Sequence, residues 1–226
     1  MEFKRFAIYC VPDQIELANL GASFLGWDIT NGREVKQIYL PGFDINKLTE
    51  HPKKYGFHAT MKAPFRLKVS KTCTELVSAL NEFSIKYSPV VLEGLEVKRL
   101  GNFLALCPVG SEEFLNRFVA DVVEHFDRFR APLLVEELDR RREIKLTTNQ
   151  ETLMKKWGYP FVMDEFRFHF TLTGALSKTD ISKAYSAVVP IFKDTLEKPF
   201  SINSLCLVGE AEDCRFHLIR RFALLG

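Results

Sequence analysis

The tetrapeptide Phe57-His58-Ala59-Thr60 returns as Phe168-His169-Phe170-Thr171, and Ser70-Lys71-Thr72 returns as Ser177-Lys178-Thr179. The copies are displaced by 169 − 58 = 111 and by 177 − 70 = 107 positions, each close to half of the 226 residues. Chance does not account for this: five His and twelve Thr in a chain of this length give about 0.3 expected H-x-T triplets. Two occur, both preceded by Phe. Self-similarity at such a period marks a duplicated supersecondary unit, so the chain is constrained to fold as two related halves.

Local patterns around the copies agree. A strand is predicted over 56–69 and again over 166–176. A helix follows from Thr72, with Glu75 as capping-box partner and Leu76, Val77, Leu80 and Phe83 on one stripe, and again over 179–192. Each helix leads to a hairpin, 90–97 with 103–107 in the first half and 200–208 with 215–224 in the second. Ahead of the first copy lie a strand over 5–11 and a helix over 13–25 opened by Asp13 and Glu16. The stretch 26–54, with Gly32, Pro41, Gly42 and Pro52, reads as loops around a minor strand at Gln37–Leu40. Between the copies, Phe114, Leu115, Phe118, Val119, Val122, Val123 and Phe126 recur at helical spacing over 111–130. A charged, largely helical segment, 136–157, completes the connection. The expected class is α+β, a bilobal pseudo-twofold duplication in which each lobe is an antiparallel sheet with helices on its outer face, around a central cleft. The expected division is one bilobal domain, 1–226, with a first lobe core over 1–110, connecting helices over 111–160 and the second repeat over 161–226.

Composition narrows the function. Lys and Arg total 31 against 29 Asp and Glu, a net +2, which is no electrostatic footprint for a long duplex nucleic acid. A nucleic-acid substrate would be short or gripped at one end. Five scattered cysteines without a C-x-x-C pair argue against a disulfide framework or a cysteine zinc site. The N-terminus has no secretory pattern and no apolar run approaches the ~18 residues of a membrane span. A cytoplasmic, monomeric protein with no membrane association is expected, and His51, His125 and His217 lack metal-ligand spacing, so neither metal nor cofactor is expected.

On a strand alternate side chains share a face, so His58 and Thr60 project together and Phe57, Ala59 and Met61 oppositely; His169 and Thr171 stand likewise against Phe168, Phe170 and Leu172. The apolar sides belong under helices, which leaves each His-Thr pair on an open face. Imidazole titrates near neutrality, so one copy can be a base and the other an acid. That pairing suits a phosphodiester: one His takes a proton from the attacking oxygen, the other protonates the leaving alkoxide, and two Thr hydroxyls donate to phosphoryl oxygens.

These motifs, His58-Ala59-Thr60-Met61 and His169-Phe170-Thr171-Leu172, resemble the paired H-x-[ST]-x signature of the two-histidine phosphoesterase superfamily, which includes RNA 2′,3′-cyclic phosphodiesterases and 2′-5′ RNA ligase-like proteins. The longer strings 55–67 and 166–174 are similar to a branch often encoded in bacterial phosphonate-utilisation operons. The resemblance implies a bilobal fold, His58 and His169 as acid and base, and Thr60 and Thr171 as phosphate ligands. The function expected is a metal-independent phosphoesterase hydrolysing a small or terminal phosphodiester, a cyclic one in particular, of a sugar, nucleotide or RNA end. The alternatives are a non-catalytic module binding a nucleotide or RNA end, and a 2′-5′ RNA ligase.

Further substrate-binding candidates follow from parity and position. Lys62 and Arg66 share parity with His58 and either reach a phosphate or line a solvated edge. Arg5 and Tyr9 fall on the open side of the first strand, where an aromatic ring stacks on a base or sugar or is structural. Tyr55 is a rim candidate. The run Arg140-Arg141-Arg142 reads as a solvated face or a phosphate-capturing patch.

Overall fold

The computed structural model describes residues 2–142, 145–196 and 198–226, without the side chains of 140–142. Its strands are β1 Arg5–Cys10, β2 Trp27–Asp28, β3 Arg33–Glu34, β4 Ala59–Phe65, β5 Val90–Leu92, β6 Gly94–Leu100, β7 Phe103–Val109, β8 Phe170–Thr171, β9 Phe200–Ile202, β10 Ser204–Glu210 and β11 Phe216–Ala223. Its helices are α1 Ile15–Leu25, α2 Ile45–Lys53, α3 Cys73–Ser84, α4 Glu113–Phe126, α5 Val135–Arg142, α6 Thr148–Trp157 and α7 Lys178–Phe192.

Seven strands form one antiparallel sheet in the order β11-β10-β1-β4-β8-β7-β6. Without the outer β11 this order is a palindrome, β10-β1-β4 against β8-β7-β6, and the pseudo-twofold lies between β4 and β8. The α+β class and the antiparallel sheet with helices agree with the sequence. The strands are distributed differently from the expected division, because each half gives its last strand to the other: β6 pairs with β7, beside β8, and β10 pairs with β1, beside β4. The repeating unit is therefore strand-helix-strand-helix-strand, β1-α1-β4-α3-β6 and β7-α4-β8-α7-β10. Residues 1–110 do not form a separate sheet, nor do 161–226, since the exchanged strands join the halves. Among the described residues the larger of two apolar clusters extends from Phe6 to Leu224, and a smaller one gathers Tyr9, Trp27, Val208 and Phe216. The larger is closed by α3 against β10 and β11, α7 against β6 and β7, and α4 against β4.

Local rules explain most elements. The Thr72 hydroxyl accepts from the Glu75 amide and the Glu75 carboxylate accepts from the Thr72 amide, the reciprocal cap read in the sequence. On α4 the residues from Leu115 to Phe126 on the predicted stripe are buried, but Phe114, in the first turn, is 63% exposed. The stretch 26–54 contains a helix rather than a strand at Gln37–Leu40: Asp44 caps α2 by accepting from the amides of Asn46 and Lys47. Asp13 does not cap α1; its carboxylate pairs with Arg221 and accepts from Ser204, and Gln14 takes the cap position. The strand predicted over 166–176 shortens to Phe170–Thr171, after which the amides of Leu172 and Thr173 both turn to the Leu104 carbonyl. Among the described residues no helix is long and apolar enough to cross a membrane.

Candidate active site

The site is built where β4 meets β8. Ala59 pairs with Phe170 across these strands. One residue further each way, the same antiparallel register sets His58 opposite Thr171 and Thr60 opposite His169. The two histidines are then diagonal neighbours on one face of the sheet, a relation that separates side chains by about 7–8 Å. The opposite face is apolar: Phe57, Ala59, Met61, Phe168, Phe170 and Leu172 are all at most 2% exposed, and Phe57 stacks on Phe170 at 5.1 Å. Burial of those six side chains fixes which way the His-Thr pairs point, because a one-residue slip would turn every one of them over.

Both imidazoles are held alike. The His58 Nδ1 donates to the Gly56 carbonyl at 2.9 Å, and the His169 Nδ1 donates to the Arg167 carbonyl at 2.8 Å. A carbonyl only accepts, so Nδ1 carries the hydrogen in each neutral ring and Nε2 is left as the acceptor. The His58 Nε2 accepts from the Thr60 hydroxyl at 3.1 Å. Burial pushes His58 down to about 4; the Gly56 carbonyl opposes this and the charge on His169 adds to it. Burial also lowers His169, against its bond to the Arg167 carbonyl. The arrangement offers two basic nitrogens on one surface flanked by two hydroxyls, which can remove one proton and deliver another across a tetrahedral anion.

Tyr9 and Tyr55 join this surface. The Tyr9 ring lies against His58, with centroids 3.6 Å apart and planes 22° apart; Tyr55 stands 6.2 Å from the same imidazole and stacks on Phe216 at 5.4 Å. Arg5 lies further along β1 on the same face, where its guanidinium donates to both carboxylate oxygens of Glu210, at 2.5 and 2.7 Å. That bond raises its pKa, and Tyr9 and Tyr55 are within its electrostatic reach.

Lys62 and Arg66 are not brought to the histidines. Strand β4 carries a bulge against β1: Tyr9 pairs with Thr60 but Ile8 pairs with Lys62, so one extra residue intervenes and parity changes. Met61 and Lys62 are consequently both buried, at 1% and 3% exposure. The Lys62 ammonium donates to the Val123 carbonyl at 3.0 Å and pairs with Asp127 at 3.4 Å. Arg66 donates to the Pro132 carbonyl at 2.7 Å and to Glu137 at 3.3 Å. The side chains of Arg140, Arg141 and Arg142 lie outside the described residues.

Sequence reasoning missed Phe103, whose ring centre is 5.7 Å from His169, and Tyr159, which is within electrostatic reach of Tyr9. It also missed the two carbonyls that orient the imidazoles, although their signal was present: Gly56 and Arg167 each stand two residues before a histidine of the duplication. Among the described residues no group of three or more His, Cys, Asp or Glu side chains could hold a metal ion.

The paired H-x-T motifs thus meet where β4 and β8 pair, near the middle of the sheet. Residues 60–217 match a family described as "Protein of unknown function (DUF1045)", and the chain belongs to that family. A protein of Janthinobacterium sp. (strain Marseille) named ribose 1,5-bisphosphate phosphokinase PhnN is 37% identical over 180 residues, covering 78% of this chain and 40% of the relative. One of the same name from Laribacter hongkongensis (strain HLHK9) is 28% identical over 234 residues, covering 98% of this chain and 52% of the relative. The chain thus spans about half the length of these curated relatives. A structure described as a phosphoesterase is 11% identical with a TM-score of 0.46, and E. coli LigT complexed with NADP+ is 11% identical with a TM-score of 0.44; both likenesses cover 100% of each chain.

Proposed function

We propose that this protein is a metal-independent phosphoesterase that opens a small cyclic phosphodiester by two-histidine acid-base catalysis. The observation that carries the reading is that two H-x-T motifs 111 positions apart meet at the Ala59–Phe170 pair, each imidazole oriented by a carbonyl bond from Nδ1. In the step proposed, one Nε2 takes a proton from water as the water oxygen bonds to phosphorus. The bond from phosphorus to one ring oxygen breaks, and that oxygen takes a proton from the other Nε2. The products are a phosphomonoester and an alcohol, and the proton returns between the histidines through solvent. Thr60 cannot donate to His58 and to a phosphoryl oxygen at once, so its hydroxyl turns to the substrate on binding and frees the His58 nitrogen.

The names of the relatives suggest the substrate class. Ribose 1,5-bisphosphate carries a phosphate ester at C1, and a five-membered 1,2-cyclic diester of ribose 5-phosphate leaves one there when the bond from phosphorus to the C2 oxygen breaks. A pentose cyclic phosphate is therefore the substrate favoured here, which fits a role in phosphonate breakdown. The kinase step itself is not assigned to this chain, which has no G-x-x-x-x-G-K-[ST] loop to cradle a nucleotide phosphate.

The test is turnover of a panel of pentose and nucleoside cyclic phosphates, followed by phosphorus NMR with and without EDTA. His58→Ala and His169→Ala should each lower kcat/KM roughly 10²- to 10⁴-fold with the fold intact. Tight binding without product would make the protein a sensor, end-joining exceeding hydrolysis at equal enzyme concentration would make it a ligase, and activity abolished by EDTA would overturn the scheme.

A further inference from the structure

The two halves repeat the histidine and the threonine but not what lies beside them. On β1, Tyr9 pairs with Thr60; on β7, the pseudo-twofold counterpart of β1, Ala105 pairs with Thr171. Two residues earlier the order reverses, with Ala7 on β1 and Phe103 on β7. His58 accordingly has a ring flat against it at 3.6 Å, on a tyrosine only 1% exposed. Among the described residues, the ring recorded against His169 is the half-buried Phe103, tilted by 53° at 5.7 Å.

We propose that Tyr9, by covering one face of His58 where the other half has Ala105, divides the labour between the histidines and makes His58 the base and His169 the acid. This rests on the two-histidine reading above and adds the direction of proton flow. The physical ground is exclusion of water. A stacked ring removes solvent from one imidazole face, and loss of solvent disfavours the charged form. A tyrosine face also attracts a cation, by a factor of roughly two to five in proton affinity at ordinary strengths. The fall of His58 from 6.5 to about 4 is roughly a 300-fold loss of proton affinity, so desolvation prevails. The groups facing His58 are Tyr9 from β1, Tyr55 from the turn after α2, and His169 from beside β8. Around Tyr9 stand Tyr55, Tyr159 and the Arg5–Glu210 pair, and around Tyr55 stand His51 and Lys54. The pair Arg5–Glu210 is internally compensated, so no unopposed carboxylate from these groups draws a proton onto His58. Tyr9 acts through His58 and is a positioning residue.

The experiment is NMR titration of the histidine Hε1 resonances in the full chain, together with the pH profile of kcat/KM. In the wild type His58 should titrate below His169, with a midpoint near 4. Tyr9→Phe keeps the ring and should leave both midpoints unchanged. Tyr9→Ala reproduces the surroundings of Thr171; the His58 midpoint should rise at least tenfold in proton affinity, and the acid limb of kcat/KM should move to higher pH with it. His58 titrating above His169 in the wild type would overturn the proposal whether or not Tyr9→Ala folds, as would a folded Tyr9→Ala protein with an unmoved His58. Normal titrations without turnover of any cyclic diester would instead sink the phosphoesterase reading and leave the Tyr9–His58 coupling in place.

Discussion

Replacing Lys62 by Met separates structure from chemistry at the residue next to the first motif. The Lys62 side chain is 4% exposed, and burial pushes its ammonium down from 10.5 to about 8, against the raising effect of Asp127. At 1.36 kcal/mol per tenfold change in proton affinity this is a penalty of about 3 kcal/mol for holding the charge in the folded chain. Because the folded value lies below the unfolded one, the unfolded chain holds more protons between about pH 8 and 10.5, so stability rises with pH across that window and is flat below it. Met removes the charge but leaves the Val123 carbonyl without its donor, a loss of about 1 kcal/mol. Asp127 keeps a partner, since Arg130 donates to both of its oxygens at 2.7 and 3.2 Å. Lys62→Met should therefore be more stable than wild type by about 2 kcal/mol at pH 7 and lose that advantage by pH 10.5. Urea unfolding at pH 7, 8, 9 and 10 reads this directly, with unchanged m-values as the control. A variant less stable at pH 7, or one whose stability follows wild type across the series, would refute the reasoning. Its kcat/KM on a cyclic phosphodiester should stay within about threefold of wild type; a hundredfold loss would return the amine to the phosphate.

Thr60→Val and Thr171→Val should each cost about 10- to 100-fold in kcat, because in the proposed reaction each removes one hydroxyl donor to the developing phosphoryl charge, with thermal unfolding unchanged; equal activity would exclude the hydroxyls from the reaction. Phe170 is fully buried and its ring meets Phe57, Phe168 and Phe200 at 5.1, 5.5 and 5.9 Å. Phe170→Ala should destabilise the fold by about 3–5 kcal/mol in urea titration, and a cost below 1 kcal/mol would contradict the register that ties β4 to β8.

Legibility followed the range of the interactions. Caps are written within four residues, so Thr72 with Glu75 could be read directly. The Asp44 cap of α2 was equally local, but a run of Gly and Pro nearby hid it. Strand parity was reliable for Phe57 to Thr60 and for Phe168 to Leu172, where the pleat is regular. It failed at Lys62, because a bulge is a property of two strands together and β1 lies about fifty residues away in sequence. The exchange of β6 and β10 between the halves escaped the sequence for the same reason: hydrophobic periodicity tells a strand which face to bury but not which strand to pair with.

The sequence alone determined that the chain is a duplication, that its two histidines and two threonines share faces opposite apolar residues, and that this chemistry suits phosphate. Those properties follow from spacing and from the twofold period of a strand. Only the tertiary structure decided that the motifs interdigitate at Ala59 and Phe170, that Lys62 turns away, and that Tyr9 covers one imidazole while Ala105 takes the equivalent place in the other half. These depend on which distant segments hydrogen-bond and in what register, and that is settled by packing the whole sheet at once.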